Sequence, residues 1–170
     1  LIHAGAGHPV AGLVLLAPHV FVEDVSIASI AAAGRAYEET DLRARLARYH
    51  DDVDSAFRGW NDIWLHPDFR GWNIESYLPR VACPVLAIQG EDDEYGTMEQ
   101  VRRIERQAPD VDVLALADCR HSPHRDQPER TLAAMTEFVN EVRLAPWGSG
   151  GEAAKRRSRA RGRRHSSSRG

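Results

Sequence analysis

Two short segments of this chain carry side chains that could move protons together. Three carboxylates, Glu91, Asp92 and Asp93, follow Gly90 at the end of the apolar run 84–89, and two imidazoles, His121 and His124, follow the apolar run Val111–Leu116. A carboxylate that accepts a hydrogen bond from one imidazole nitrogen fixes the tautomer of the ring and leaves the other nitrogen to take a proton. Those are the tasks of the two supporting members of a nucleophile–His–acid triad. The third member would stand on a strand-to-helix turn of the form Gly-x-Ser-x-Gly, or with Asp or Cys at its centre, and no such turn occurs in the 170 residues. The chain thus holds an orienting acid and a base without a recognisable nucleophile. A metal reading of Cys119, His121 and His124 fails on ligand count and spacing, because no second ligand pair accompanies them. No metal and no cofactor is expected.

Elements able to position these residues are visible in the apolar pattern. Val10–Ala17 is a continuous apolar run that ends at Pro18, which suits a parallel strand buried on both faces, and His19 follows at its carboxyl end. Ligands of open α/β sheets gather outside the carboxyl ends of strands, so His19 is a candidate substrate contact. Cys83-Pro84 opens a second strand, Val85–Gln89, with the proline at a position that disturbs no ladder bond. Met98–Gln107 has helical character, Val111–Leu116 is a third strand, and Pro128–Arg143 predicts a closing amphipathic helix with Leu132, Met135, Phe138, Val139 and Val142 on its inner face. Strands alternating with helices predict an α/β fold with a mostly parallel sheet. Between the first two strands, Val25–Leu78 is rich in helix formers and far longer than a simple crossover, so it predicts an inserted helical unit. Ile27, Ile30, Ala31 and Gly34 form one expected face, Leu42, Leu46 and Tyr49 another, and Phe57, Trp60, Trp64 and Leu65 recur at helical spacing. Trp60, Trp64 and Trp72 are the expected lining of an apolar substrate pocket.

Taken as a set, these segments resemble the carboxyl-terminal part of the α/β-hydrolase superfamily, over roughly residues 1 to 143. That family orders its triad nucleophile, acid, His along the chain, which implies a nucleophile upstream of Leu1. The stretch Leu1–Pro9, closed by glycines and a proline, resembles the end of the helix that follows the nucleophile turn. The chain opens with Leu rather than Met, and a truncated product or fragment is expected. The resemblance implies a division into 1–20, the end of that helix and a buried strand; 21–79, a helical cap insertion; and 80–145, the carboxyl-terminal core, while composition marks 146–170 as a disordered basic tail. In the family the acid stands three residues after the glycine that ends its strand, which implies Asp93, with Asp92 as the competitor. His121 corresponds to the base, Arg120 stands where many relatives have Gly, and His124 is expected behind the site or at the surface.

The implied activity is that of a parent hydrolase attacking an acyl carbon of ester-like or related small apolar substrates, its oxyanion held by backbone amides of the absent half. Cleavage of carbon–carbon bonds uses a similar framework, and epoxide or haloalkane hydrolysis needs an Asp nucleophile, so the identity of the nucleophile decides among these chemistries. The chain alone is expected to be inactive. The alternative is a non-catalytic truncated remnant, or an interaction module.

Composition bounds the remaining classes. Hydrophobic residues make up 42% of the chain, compatible with a folded core. Two cysteines without CxxC spacing point to a reduced, cytoplasmic setting. No run of about 18 apolar residues exists, so no membrane partner is expected. Residues 151–170 carry eight Lys and Arg against Glu152, a charge of +7, which leaves −10 for the rest of a chain whose net charge is −3. Only that tail has the charge for nucleic acid, which is not an expected partner. A small-molecule substrate is the expected partner, with self-association through an exposed edge of the Val10–Ala17 strand as the expected liability.

Overall fold

A computed structural model describes residues 2–7 and 10–144. Leu1, His8, Pro9 and the whole expected basic tail lie outside the described residues. The order of elements is helix α1 (Ile2–Gly7), strand β1 (Leu13–Leu16), helices α2 (Asp24–Glu39), α3 (Leu42–Leu46) and α4 (Val53–Leu65), strand β2 (Val85–Gly90), helix α5 (Glu99–Gln107), strand β3 (Val111–Leu116), and helices α6 (Pro123–Asp126) and α7 (Pro128–Leu144). Two 3-10 turns, Pro67–Gly71 and Glu75–Arg80, join α4 to β2. The three strands form one parallel sheet in the order β1-β2-β3, with Leu13 opposite Val85 and Val85 opposite Val111. Among the described residues β1 pairs with β2 alone.

The sheet is apolar on both faces because helices cover both. Successive residues of a strand point to opposite sides. On β2, Val85 and Ala87 join Leu13, Leu15, Val101, Ile104 and Leu78 in one core cluster, while Leu86 and Ile88 join Leu116, Cys119 and Phe138 in the other. All six residues of β2 are buried, as a central parallel strand requires.

Several sequence expectations are corrected by this packing. The first strand is shorter than Val10–Ala17. A Cβ at Gly12 would lie 3.1 Å from the Phe138 ring, so the chain there passes tightly under α7 before entering the ladder. At the other end Ala17 adopts φ 46, a left-handed conformation that turns the chain out of the sheet while its N–H still donates to the Ile88 carbonyl at 2.9 Å. On α7 the inner face is Thr131, Ala134, Met135, Phe138 and Val142, and Leu132 and Val139 are exposed, because the helix meets the sheet through the Phe138 side of its surface. In the insertion Tyr49 is 75% exposed, and of the expected face of α2 only Ile30 is fully buried, together with Ser26 and Tyr37. Helix α2 packs on α4: the Tyr37 and Phe57 rings stack at 3.9 Å and Asn61 donates its amide to the Ile30 carbonyl at 2.8 Å. Among the described residues no helix is long and apolar enough to cross a membrane.

Candidate active site

The loop that leaves β2 is bent back on itself around one carboxylate. The Asp93 side chain is 1% exposed, and each of its oxygens accepts more than one hydrogen bond. Oδ1 takes the backbone N–H of Tyr95 at 2.8 Å and of Gly96 at 3.3 Å, while Oδ2 takes the Gln89 side-chain amide at 2.7 Å. His121 completes the set, with Nδ1 at 3.0 Å from both oxygens. An ionised carboxylate only accepts, so the proton of this contact sits on Nδ1 of His121. Burial works against the charge on Asp93, but the hydrogen bond from His121 and the amides of Tyr95 and Gly96 outweigh it and hold the carboxyl below the usual range.

Two neighbouring loops meet because Gly90 allows it. A Cβ at position 90 would lie 2.2 Å from the Cys119 carbonyl oxygen and 2.4 Å from that of Arg120, so any side chain there would collide with the backbone that carries His121. The Asp92 N–H donates to the Cys119 carbonyl at 3.0 Å, and Glu91 N–H to that of Leu116 at 2.9 Å. Asp118, at φ 52, turns the chain after β3, a conformation that Asp tolerates better than most residues. Arg120 pairs with Glu94 at 3.1 Å, and the His121 N–H donates to the same Glu94 at 3.3 Å, which ties the two loops together.

The His121 side chain is 37% exposed and lies among other rings. Tyr95 is 4.9 Å from it and His19 5.9 Å, centroid to centroid. Beyond Tyr95, Trp60 stands at 6.2 Å; beyond His19, Trp64 stands edge-on at 5.1 Å and Trp72 a further 6.0 Å from Trp64. The structure places Asp93 and His121 in direct contact, His19 beside them, Trp64 against His19, and Trp60 and Trp72 one ring further out. His19 stands on Gly96, where an added Cβ would meet its Cε1 at 2.9 Å, and its Nδ1 is buried without a hydrogen-bond partner. Burial first, and then the neighbouring His121, lower its pKa, so the ring is held neutral. Asp92 is exposed and takes no part in the contact with His121.

The metal reading finds no support in the placement of its residues. Cys119 is fully buried in the core with Ile88, Leu116 and Phe138, and burial pushes its thiol pKa up, whereas His124 is exposed. Among the described residues no group of three or more His, Cys, Asp or Glu could hold a metal ion.

Residues that the sequence pattern did not single out contribute as much. Gln89 is 1% exposed and donates both to Asp93 and to the Gly96 carbonyl, the latter at 2.9 Å. A polar residue closing an otherwise apolar strand one position before the glycine was the available signal. Gln100, fully buried on α5, accepts from the Val20 N–H at 2.8 Å and donates to the Phe21 carbonyl at 3.1 Å, which pins the chain just after His19.

No protein-family model matches the chain, and none of the curated proteins matches it. Solved structures do match. A membrane phospholipase A, described as a bacterial virulence factor, shares 22% identity over 85% of this chain and 54% of its own, with a TM-score of 0.63. A serine hydrolase involved in carbazole degradation shares 18% over 82% of this chain and 58% of its own, at 0.61. A thermophilic esterase from Thermogutta terrifontis shares 21% over 78% of this chain and 56% of its own, at 0.53. The chain therefore spans between half and two thirds of the length of these neighbours. The parallel β1-β2-β3 sheet, with helices on both faces and this agreement with solved hydrolases, shows that the chain has the α/β-hydrolase fold.

Proposed function

We propose that the chain belongs to a hydrolase that works through a nucleophile–His–acid triad, with Asp93 as the acid and His121 as the base. The nucleophile and the oxyanion donors come from outside the 170 residues, which contain no nucleophile turn. One observation carries the reading: a buried carboxylate held by three other donors faces His121 Nδ1 at 3.0 Å, while the imidazole remains partly exposed. That arrangement leaves Nε2 to take the proton of a nucleophile as it attacks an acyl carbon and to return it to the leaving group. Asp93 stays ionised, fixes the tautomer and stabilises the imidazolium. The solved neighbours are an esterase, a phospholipase and a serine hydrolase by their own descriptions, which supports a small acyl substrate of ester-like kind. The helical insertion is a cap, with His19, Trp60, Trp64 and Trp72 as substrate contacts.

The test is the polypeptide encoded when the reading frame is followed upstream of Leu1. It should contain a Gly-x-Ser-x-Gly turn, or its Asp or Cys counterpart, and hydrolyse p-nitrophenyl acetate or a related acyl compound. His121→Ala should lower kcat by about 10³-fold or more. The 170 residues alone should show no turnover above background. Turnover of the 170-residue chain that depends on His121 would sink the assignment of the nucleophile to another segment. A frame without a nucleophile turn would favour the second reading, a non-catalytic remnant or interaction module, to which the side of β1 that pairs with no strand among the described residues is the contributing observation.

A further inference from the structure

The first two turns of the helical insertion are bonded to the loop that carries the acid. Ser26 and Ser29 stand at i and i+3 on α2 and so share one face. The Ser26 hydroxyl donates to the Tyr95 carbonyl at 2.5 Å and the Ser29 hydroxyl to the Glu94 carbonyl at 2.5 Å. Glu23, immediately before α2, accepts from the Thr97 N–H at 3.0 Å, from the Thr97 hydroxyl at 2.6 Å and from the Gln100 amide at 2.7 Å. A serine hydroxyl in a helix ordinarily turns back to a carbonyl of the same segment. Here Ser26 is fully buried and its hydroxyl is spent on the residue two positions after Asp93.

Those two carbonyls belong to the same short segment whose N–H groups hold Asp93. Tyr95 offers its N–H to the carboxylate and its carbonyl to Ser26, and Gly96 offers its N–H to the carboxylate and its carbonyl to Gln89. The segment is therefore fixed from two sides, by β2 through Gln89 and by α2 through its serines. We infer that Ser26 and Ser29 are positioning residues for Asp93, so that α2 sets the geometry of the acid instead of only covering the site. This deepens the triad reading and rests on Asp93 being its acid. The bonds anchor α2 to the sheet's loops, whereas α3 has no fully buried residue.

The test compares Ser26→Ala, Ser29→Ala and the double variant with Thr40→Ala in the full chain. Thr40 bonds the Ala36 carbonyl at the far end of α2, so its loss weakens the helix without touching the acid loop. The readout is the downfield proton resonance of His121 Nδ1, assigned by its loss in His121→Gln, together with its exchange rate with water. The double serine variant should exchange that proton about tenfold faster, the factor set by losing ordinary hydrogen bonds that hold the acceptor. Thr40→Ala should leave the rate unchanged, and Ser29→Thr, which keeps the hydroxyl at a half-buried position, should restore it. Should the double variant fail to fold, Ser29→Ala alone reads the same effect. An unchanged exchange rate in a destabilised double or single variant would overturn the inference. That result would leave the triad reading standing, since the latter is decided by the nucleophile turn and by hydrolysis.

Discussion

Gly90→Ala is the substitution whose consequence can be worked furthest. The new Cβ would stand 2.2 Å from the Cys119 carbonyl oxygen, 2.4 Å from that of Arg120 and 2.6 Å from the Cys119 carbonyl carbon, whereas real Cβ contacts stay beyond 3.0 Å. All three atoms are backbone, so no side chain can swing aside. The loop from Cys119 to His121 must retreat by at least the 0.8 Å between 2.2 and 3.0 Å. A retreat of that size stretches the Asp92 N–H to Cys119 contact, now 3.0 Å, out of hydrogen-bond range. Overpacking costs about 1 to 3 kcal/mol and the lost hydrogen bond about 1 kcal/mol, so a total near 3 kcal/mol is expected. In urea unfolding that moves the midpoint down by about 1 to 3 M, at the denaturant dependence usual for small proteins. The same displacement separates His121 from Asp93, and the downfield Nδ1 proton should disappear. A midpoint within about 0.3 M of the parent, with the resonance intact, would refute the claim that Gly90 is what allows the two loops to meet.

Two further perturbations read the charges of the site. The carboxyl of Asp93 is held below its usual range in the folded chain, so it contributes stability that is fully present above its unfolded value of about 3.9 and is lost as pH falls through the folded value. Asp93→Asn should therefore be least stable relative to the parent at neutral pH, with the gap narrowing below about pH 4; a gap independent of pH would contradict an ionised Asp93. His19, whose pKa is lowered chiefly by burial, binds its proton more readily unfolded than folded, so stability should rise with pH through about 6.5, the unfolded value. His19→Phe should flatten that rise between about pH 5 and 7, and an unchanged slope in urea midpoints would show that His19 is not held neutral.

Much of the core and both members of the acid–base contact were legible in the sequence. The runs at Leu13–Leu16 and Val85–Ile88 are continuously apolar and Val111–Leu116 is apolar apart from Asp112, as strands of a sheet covered by helices on both faces are, and that pattern needs no knowledge of the fold. That a carboxylate and an imidazole could meet was visible because each follows a strand end, and parallel strands bring their carboxyl ends to one side, whereas the choice of Asp93 over Asp92 came from the family resemblance alone. Periodicity was less informative wherever the burying partner is itself irregular. Leu132 and Val139 have the right spacing for a core face of α7, yet both are exposed while Thr131 is 2% exposed and donates to the Pro123 carbonyl. The orientation of that helix depends on α6 and on the Phe138 contact with the sheet, which lie outside its own pattern.

What only the tertiary structure decided is how the two loops are held. Gly90 looks like any strand-ending glycine until the Cys119 and Arg120 carbonyls are seen against it, and Ser26 and Ser29 look like helix serines until the Glu94 and Tyr95 carbonyls are placed beside them. Both depend on contacts between residues far apart in the chain, 29 or more positions for Gly90 and 65 or more for the serines. Residue types and local spacing determine which groups are able to do chemistry and which segments become strands. The distances at which those groups meet come from backbone packing between loops, which leaves no periodic trace in the sequence.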